Sequence, residues 1–254
     1  MPAILYKYRS VAPASWLYTE AALEKQELFM ATRAMFNDPF ECRPVFSHEC
    51  TKEELRAAAD RILKKTPLNG QQRRARVREI ARGHKDQWPQ DFARAVKQLN
   101  EAMDRQVGLF CLTAKGDDIL MWSHYADAHA GICMGFSTEE CDSPFRNARP
   151  VRYSRDLPVC RVFAEDRNVV EEKAMFTKAD AWAYEEEWRL INFRDGACTK
   201  RFEPRFLRQV ILGARIAPEV ATKVIRLTEK HYPHVQILNA CIRENSYGLN
   251  LTAV

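Results

Sequence analysis

Residues 108–136 read GLFCLTAKGDDILMWSHYADAHAGICMGF, and this stretch decides the fold. Its apolar run from Leu109 to Thr113 predicts a buried strand, and Lys115-Gly116-Asp117 predicts a turn. A short aromatic-rich helix is expected from Asp118 to Asp127, followed by a second strand from Gly131 to Phe136. The pattern therefore predicts a strand, a helix and a strand, with both strands near the centre of one sheet.

The predicted helix carries four consecutive polar or aromatic residues, Trp122, Ser123, His124 and Tyr125. Trp122 and Tyr125 are three apart and share a helix face, which is typical either of packing on the sheet or of recognition of a ring. His124 and His129 are five apart, so they diverge on a helix of about 3.6 residues per turn. That spacing argues against a metal pair.

The composition is that of an ordinary globular protein. Of its 254 residues, 46% are hydrophobic and 29% are charged, and no run of about 18 apolar residues is present to span a membrane. The eight cysteines have no disulfide framework, and Cys42, His48 and Cys50 lack the spacing of a zinc site. We therefore expect a cytoplasmic protein with reduced thiols, no metal and no membrane partner.

Strands and helices do not alternate regularly along the rest of the chain. Strands are predicted at Leu5–Arg9, Glu27–Ala31, Val151–Tyr153, Ala183–Phe193, Arg208–Leu212 and Val235–Ile242, and helices at Pro13–Lys25, Asp166–Thr177 and Pro218–His231; residues 245–251 are expected to close the sheet as an edge hairpin. This order favours an α+β fold with a central, mostly antiparallel sheet of about six to eight strands, flanked by helices.

The segment from about 51 to 107 differs from its surroundings. Thr51-Lys52-Glu53-Glu54 has the pattern of a capping box, and two further helices are expected around Gln71–Arg82 and Pro89–Arg105. The segment also holds 14 Lys or Arg against 8 Asp or Glu, so the basic excess of the chain is local. We interpret residues 1–254 as one α+β domain with a basic, all-helical insertion at about 51–107.

The insertion contains a dense basic run, formed by Arg73, Arg74, Arg76, Arg78, Arg82 and Lys85. The run is too spread around its helix to form a single stripe. It is typical either of a solvated helix face or of contact with a polyanion such as nucleic acid.

A second group of candidate residues lies in WAYEEEWRLI, residues 182–191. If this segment is a strand, Glu185, Glu187 and Arg189 point to one face, with the two carboxylates about 6–7 Å apart. An unpaired buried carboxylate is costly. Glu187 is therefore expected either in a structural ion pair with Arg189 or with Arg9, or in catalysis.

Four motifs together identify the chain as similar to a known bacterial family. LYKYRS, FNDPFEC, FCLT followed by LMWSHYADAHAGICMGF, and WAYEEEWRL resemble the family called domain of unknown function 2971. The resemblance runs over most of the chain, although the helical block is its least distinctive part. The family name implies no activity. GxGxxG, P-loop, GxSxG and HExxH motifs are all absent from the sequence.

The order of elements also resembles ADP-ribosyltransferases, which cleave NAD. That resemblance implies that Arg9 on the first strand holds NAD, that Tyr125 or Trp122 packs on the nicotinamide, and that Glu187, with Glu185, is catalytic. Tyr125 is also the third catalytic candidate beside the two glutamates, and Tyr8 and His124 complete the set of cofactor-binding candidates. The chemistry is compatible, because a fixed carboxylate stabilises an oxocarbenium-like transition state and Arg suits a pyrophosphate.

The sequence therefore predicts three alternative functions. The first is an NAD-cleaving transferase that modifies a macromolecular acceptor, nucleic acid or protein, as toxins and anti-phage defence factors of that superfamily do. The second is a non-catalytic nucleic-acid-binding protein that uses the basic helices. The third is a hydrolase in which His124 works with Glu185 and Glu187 as general acid and base.

Overall fold

The computed structural model describes residues 1–82 and 88–254, and Lys85 of the basic run lies outside these ranges. The chain divides into two compact units. The first comprises Met1–Phe36, Arg105–Val151 and Ala181–Val254, and the second comprises Asn37–Asp104 and Arg152–Asp180. The helices predicted between residues 51 and 107 fall mostly in the second unit.

The strands in chain order are β1 (Ile4–Arg9), β2 (Glu27–Met30), β3 (Val45–Ser47), β4 (Gly108–Thr113), β5 (Ile132–Ser137), β6 (Arg149–Pro150), β7 (Arg152–Ser154), β8 (Val159–Arg161), β9 (Thr177–Ala179), β10 (Glu187–Asn192), β11 (Cys198–Arg201), β12 (Leu207–Leu212), β13 (Gln236–Ile242) and β14 (Leu249–Ala253). The α-helices are α1 (Trp16–Lys25), α2 (Lys52–Leu63), α3 (Gly70–Arg82), α4 (Trp88–Gln106), α5 (Ile119–Tyr125), α6 (Arg167–Met175) and α7 (Pro218–His231).

The first unit is built on one large sheet. Within the described ranges it has eight strands in the order β14-β13-β12-β5-β1-β4-β10-β6. The β12–β13 pair is parallel and the other neighbours are antiparallel. The predicted α+β class and the mostly antiparallel sheet are therefore confirmed, with the strands of the 108–136 stretch on either side of β1.

The two faces of this sheet carry separate hydrophobic clusters, as the alternation along β1 predicts. Leu5 packs on one face with residues of α1 and α7. Tyr8 packs on the other face with Met121 and Trp122 of α5. The sheet is therefore covered on both sides, and α5 lies against its centre.

The pairing of β1 with its two neighbours is unequal. β1 and β5 pair along six residues, from Ile4↔Ser137 to Arg9↔Ile132. β1 and β4 pair at Tyr6↔Thr113 alone among the described strands, while Ala31 pairs with Leu109 further along β4. Cys111 therefore lies between two single-residue contacts on that edge of β4.

The second unit contains α2, α3, most of α4, α6 and two short parallel pairs, β3–β8 and β7–β9. The capping box that opens α2 is confirmed: Thr51 Oγ1 accepts from the Glu54 amide at 3.1 Å, and Glu54 Oε2 accepts from the Thr51 amide at 2.7 Å. The predicted single domain stays a prediction. In this structure the helical block groups with residues 37–50 and 152–180.

No helix in the described part of the chain is both long and apolar enough to cross a membrane. The cysteines, all of which lie in that part, are free.

Candidate active site

Helix α5 begins where the sequence predicted and places Trp122 in the core. Asp118 caps it, because Oδ1 accepts from the amides of Leu120 and Met121 at 2.9 and 3.0 Å. Trp122 is fully buried, and its Nε1–H donates to the Gly116 carbonyl at 3.1 Å. These contacts fix the indole ring against the sheet.

Tyr8 is the partner of Trp122 on the sheet. The two rings meet edge to face at 5.1 Å, and the Tyr8 hydroxyl donates to the Lys115 carbonyl at 3.0 Å. Burial raises the pKa of Tyr8. Both residues were predicted to bind the cofactor, but the structure places them in the core, where neither presents a ring face to a ligand.

Glu187 and Arg189 form a buried ion pair on β10. Arg189 Nε donates to Glu187 Oε1 at 2.7 Å, and Nη2 donates to Oε2 at 2.9 Å. Their side chains are 4% and 0% exposed. The sequence predicted Arg189 or Arg9 as the partner of Glu187, and the structure confirms the pair with Arg189. A bidentate pair of this kind holds the carboxylate in one orientation.

Glu185 is not on the strand with Glu187, so that part of the predicted strand is wrong. It ends a 3₁₀ helix, Asp180–Glu185, and Glu186 follows with a left-handed φ of 42° before β10 begins. Glu185 is nevertheless buried, and its Oε1 accepts from the Tyr125 hydroxyl at 2.6 Å. The structure thus brings together two of the three predicted catalytic residues.

Two cations of β1, Lys7 and Arg9, lie on the Leu5 face of the sheet, because Tyr6 is the residue that pairs with Thr113, the neighbour of Glu187. Arg9 Nε and Nη2 are buried and have no hydrogen-bond partner in the part of the chain that the structure describes, although the side chain keeps some exposed area. Burial lowers the pKa of the Arg9 guanidinium to about 10. An orphaned guanidinium is costly, and each such group calls for an explanation.

Lys7 links Arg9 to the carboxylates electrostatically. Burial lowers the pKa of the Lys7 ammonium, and Arg9 lowers it further, while Cys111, Glu187 and Glu185 act in the opposite direction. Burial, and after it Glu187, raise the pKa of the Cys111 thiol well above its usual range. We call Lys7, Arg9, Cys111, Glu185, Glu187 and Arg189 the charged cluster.

An aromatic group lies beside Glu185. The His124 ring is 6.3 Å from both Tyr125 and Tyr184, and Tyr184 is 6.2 Å from Trp182. These four residues are exposed or partly buried, so they form an accessible rim, in contrast to Trp122 and Tyr8. The ring contacts of His124 are with tyrosines, which gives the expected hydrolase role with the carboxylates no support.

Sequence reasoning missed Lys7, Cys111, Trp182 and Tyr184 as members of this region. The signal for Lys7 was present, because it shares a strand face with Arg9. Among the described residues, no group of three His, Cys, Asp or Glu side chains could hold a metal ion. The cluster contains the Glu187–Arg189 ion pair, and the orphaned Arg9 donors favour an anionic ligand.

The fold and the charged cluster define an α+β protein with buried carboxylates and an orphaned arginine at the centre of its sheet. The family described as "Protein of unknown function (DUF2971)" matches residues 121–190, in agreement with the resemblance that the motifs indicated. The matched segment includes Tyr125, Glu185 and Glu187, whereas Lys7 and Arg9 precede it. No curated protein and no solved structure matches the chain.

Proposed function

We propose that the chain cleaves NAD and transfers its ADP-ribose to a macromolecular acceptor. The observations that carry this proposal are the two orphaned Arg9 nitrogens and the electrostatic effect of Glu185 and Glu187 on Lys7, which shares a strand face with Arg9. A dinucleotide offers two complementary features, a pyrophosphate for a guanidinium and a ribose for a carboxylate. The resemblance in element order to ADP-ribosyltransferases supports the same assignment as an analogy.

Each residue of the cluster has a separate role in this proposal. Arg9 and Lys7 hold the pyrophosphate with cations that are already desolvated. Glu187, oriented by Arg189, stabilises the positive charge that develops on the ribose. In the reaction the glycosidic bond breaks, nicotinamide leaves with the bonding electrons, and an acceptor nucleophile bonds to C1′ and loses a proton.

The aromatic rim takes the ring-binding role that the resemblance implied for Trp122. Tyr125 is half-buried and held by Glu185, and Tyr184 and Trp182 continue the rim. Aromatic faces of this kind suit a planar nicotinamide or adenine ring. A toxin or anti-phage defence role would follow from the identity of the acceptor.

Arg9→Met tests the proposal because it separates binding from folding. Removing an unsatisfied buried donor group is expected to raise the free energy of unfolding by about 1–3 kcal/mol. The same change is expected to abolish NAD binding and nicotinamide release, measured calorimetrically and by chromatography with DNA, RNA and cell extract as acceptors. Urea unfolding gives the stability.

Arg201→Met is the matched control for Arg9→Met. Arg201 is an exposed β-strand arginine, 3.3 Å from Glu27, and surface pairs of this kind contribute little. We expect its NAD turnover and stability to equal those of the wild type. The proposal fails if the wild type neither binds nor consumes NAD in any of these mixtures, or if Arg9→Met retains turnover.

A nucleic-acid-binding function is the second candidate, and one observation favours it. Helix α3 buries none of its residues, and its ion pairs in the described structure engage Arg73 and Arg76. We infer that Arg74, Arg78 and Arg82 are the arginines of α3 that would form ion pairs with a polyanion. This function needs no chemistry at the charged cluster.

Neutralising Arg74 and Arg78 to Gln is expected to weaken DNA or RNA binding and to make it less sensitive to salt. Each lost phosphate contact should reduce the slope of log K against log salt by about 1. Fluorescence anisotropy at several salt concentrations measures the slope. Neutralising Arg226 and Lys230 on α7 is the control, and an equal effect of both double variants would contradict a specific role for α3.

A further inference from the structure

A cleft lies in the first unit, between α5 and the hairpin that joins β13 to β14. Its volume is about 670 Å³, and its lining includes Leu120, Ser123, His129, Arg215, Ile242 and Tyr247. Ile242 and Tyr247 are 71% and 99% exposed. A cleft of this size with apolar walls and a few polar groups is typical of a small-molecule site.

A serine and a histidine are hydrogen-bonded inside this cleft. Ser123 Oγ lies 3.2 Å from His129 Nε2. The His129 ring lies nearly parallel to that of Trp122, with 6.3 Å between centroids and 15° between planes. The fully buried indole therefore sets the orientation of the imidazole, and a serine beside an oriented imidazole is the arrangement that activates a hydroxyl nucleophile.

The surroundings of His129 favour its neutral form. Burial and the charge of Arg215 lower the pKa of His129, against a smaller opposite effect of a hydrogen bond with the Ile119 backbone. In the tautomer with its proton on Nδ1, Nε2 accepts the Ser123 proton.

The loop that carries His129 is strained and tightly held. Asp127, Ala128 and His129 have φ values of 49°, 49° and 72°, and each left-handed non-glycine residue costs about 1–3 kcal/mol. The Asp127 carboxylate accepts from the Val11 and Ala12 amides at 2.6 and 2.9 Å, which anchors the loop to the end of β1. Strain that is maintained in this way is a common property of functional sites.

We propose that Ser123 is the nucleophile of an acyl-transfer site, with His129 as its general base, that acts on carboxylic esters with an apolar acyl group. The Ser123 oxygen bonds to the ester carbonyl carbon while its proton passes to His129 Nε2. The alcohol leaves with that proton, and water then attacks the acyl-serine to release the carboxylate. Arg215 and Arg243 line the cleft, where they can donate hydrogen bonds to the ester carbonyl oxygen. Arg243 Nε donates to Asn250 Oδ1 at 3.1 Å.

The proposal is tested with a fluorophosphonate probe and with p-nitrophenyl butyrate on the full chain. We expect the probe to label Ser123, identified by mass spectrometry of peptides, with loss of fluoride. Ser123→Ala should abolish labelling and ester turnover. His129→Asn should slow both by about 100-fold or more, the usual contribution of a general base. Asn is suited to the left-handed backbone at this position, so the loop is preserved.

The pH profile gives a second readout that a structural serine would not show. Turnover should rise with pH through the pKa of His129, which lies below its usual value, and should be level above about pH 7. The charged groups around the ring are Arg215, Arg243 and Glu244 in the cleft, with Asp118 at the start of α5 and Asp127 on its own loop.

Ser15→Ala is the control, since Ser15 precedes α1 and its side chain makes no capping hydrogen bond; its labelling and turnover should equal those of the wild type. The absence of labelling of folded wild-type protein, labelling at another residue, or labelling that His129→Asn leaves unchanged would each overturn the proposal. Probe labelling and ester turnover need no NAD, so their failure is distinguishable from the failure of NAD cleavage.

Discussion

Glu187→Gln is expected to lower the free energy of unfolding by about 3–5 kcal/mol, because it breaks one side of a buried ion pair. Two hydrogen bonds from Arg189 end on this carboxylate. In the variant the Arg189 charge stays buried while the negative charge of Glu187 is gone. Nicotinamide release should be lost as well, so activity alone would not separate a catalytic role from a structural one.

The double variant Glu187→Gln with Arg189→Met makes that separation. Replacing both partners of a buried pair by neutral groups is often neutral or stabilising. We therefore expect most of the lost stability to return in urea unfolding while NAD cleavage stays absent. If cleavage returns with stability, Glu187 acts only through the fold and its assigned role in catalysis is wrong.

Glu186→Gln is the control for this series. Glu186 is adjacent to Glu187 in sequence, but its carboxylate is exposed and pairs with Lys115 at 2.9 Å. Exposed pairs of this kind contribute about 0–1 kcal/mol. A loss as large as that of Glu187→Gln would show that the local chain path, rather than the buried pair, determines the stability.

The elements that the sequence predicted well are those with a local physical cause. The apolar runs of β4 and β5 predicted central strands, and the Thr51–Glu54 capping box predicted the start of α2. The Glu187–Arg189 pair followed from strand alternation, because a buried carboxylate needs a partner. In each case the residues that determine the structure are close together in the sequence.

The incorrect sequence predictions have a different origin, because they depend on backbone geometry that the residue types do not indicate. A glutamate at φ 42° separates Glu185 from β10, and three Glu in a row contain no Gly or Asn to indicate a left-handed residue. The Ser123–His129 pair likewise depends on three consecutive left-handed residues that fold the loop back onto α5. Six residues apart on a straight helix, the two side chains would not meet.

Trp122→Ala is expected to cost about 3–5 kcal/mol of unfolding free energy, the range for a fully buried aromatic side chain. The ring is 0% exposed, packs edge to face on Tyr8 and donates to the Gly116 carbonyl. Trp122→Phe keeps most of the packing and loses the hydrogen bond, so we expect a loss of only about 1–2 kcal/mol. Thermal and urea unfolding measure both.

The same two variants decide between the two roles that the sequence allowed for Trp122. If Trp122 is a core residue, Trp122→Phe leaves the Kd for NAD unchanged. If Trp122 stacks on nicotinamide, the same substitution weakens NAD binding without loss of stability. Tyr247→Ala is the stability control, because a 99% exposed ring should change the free energy of unfolding by no more than about 0.5 kcal/mol. The indole also lies against the His129 ring. Trp122→Phe should therefore slow ester turnover more than it changes the Kd for NAD. That result would place the Trp122 ring at the acyl-transfer site rather than at the charged cluster.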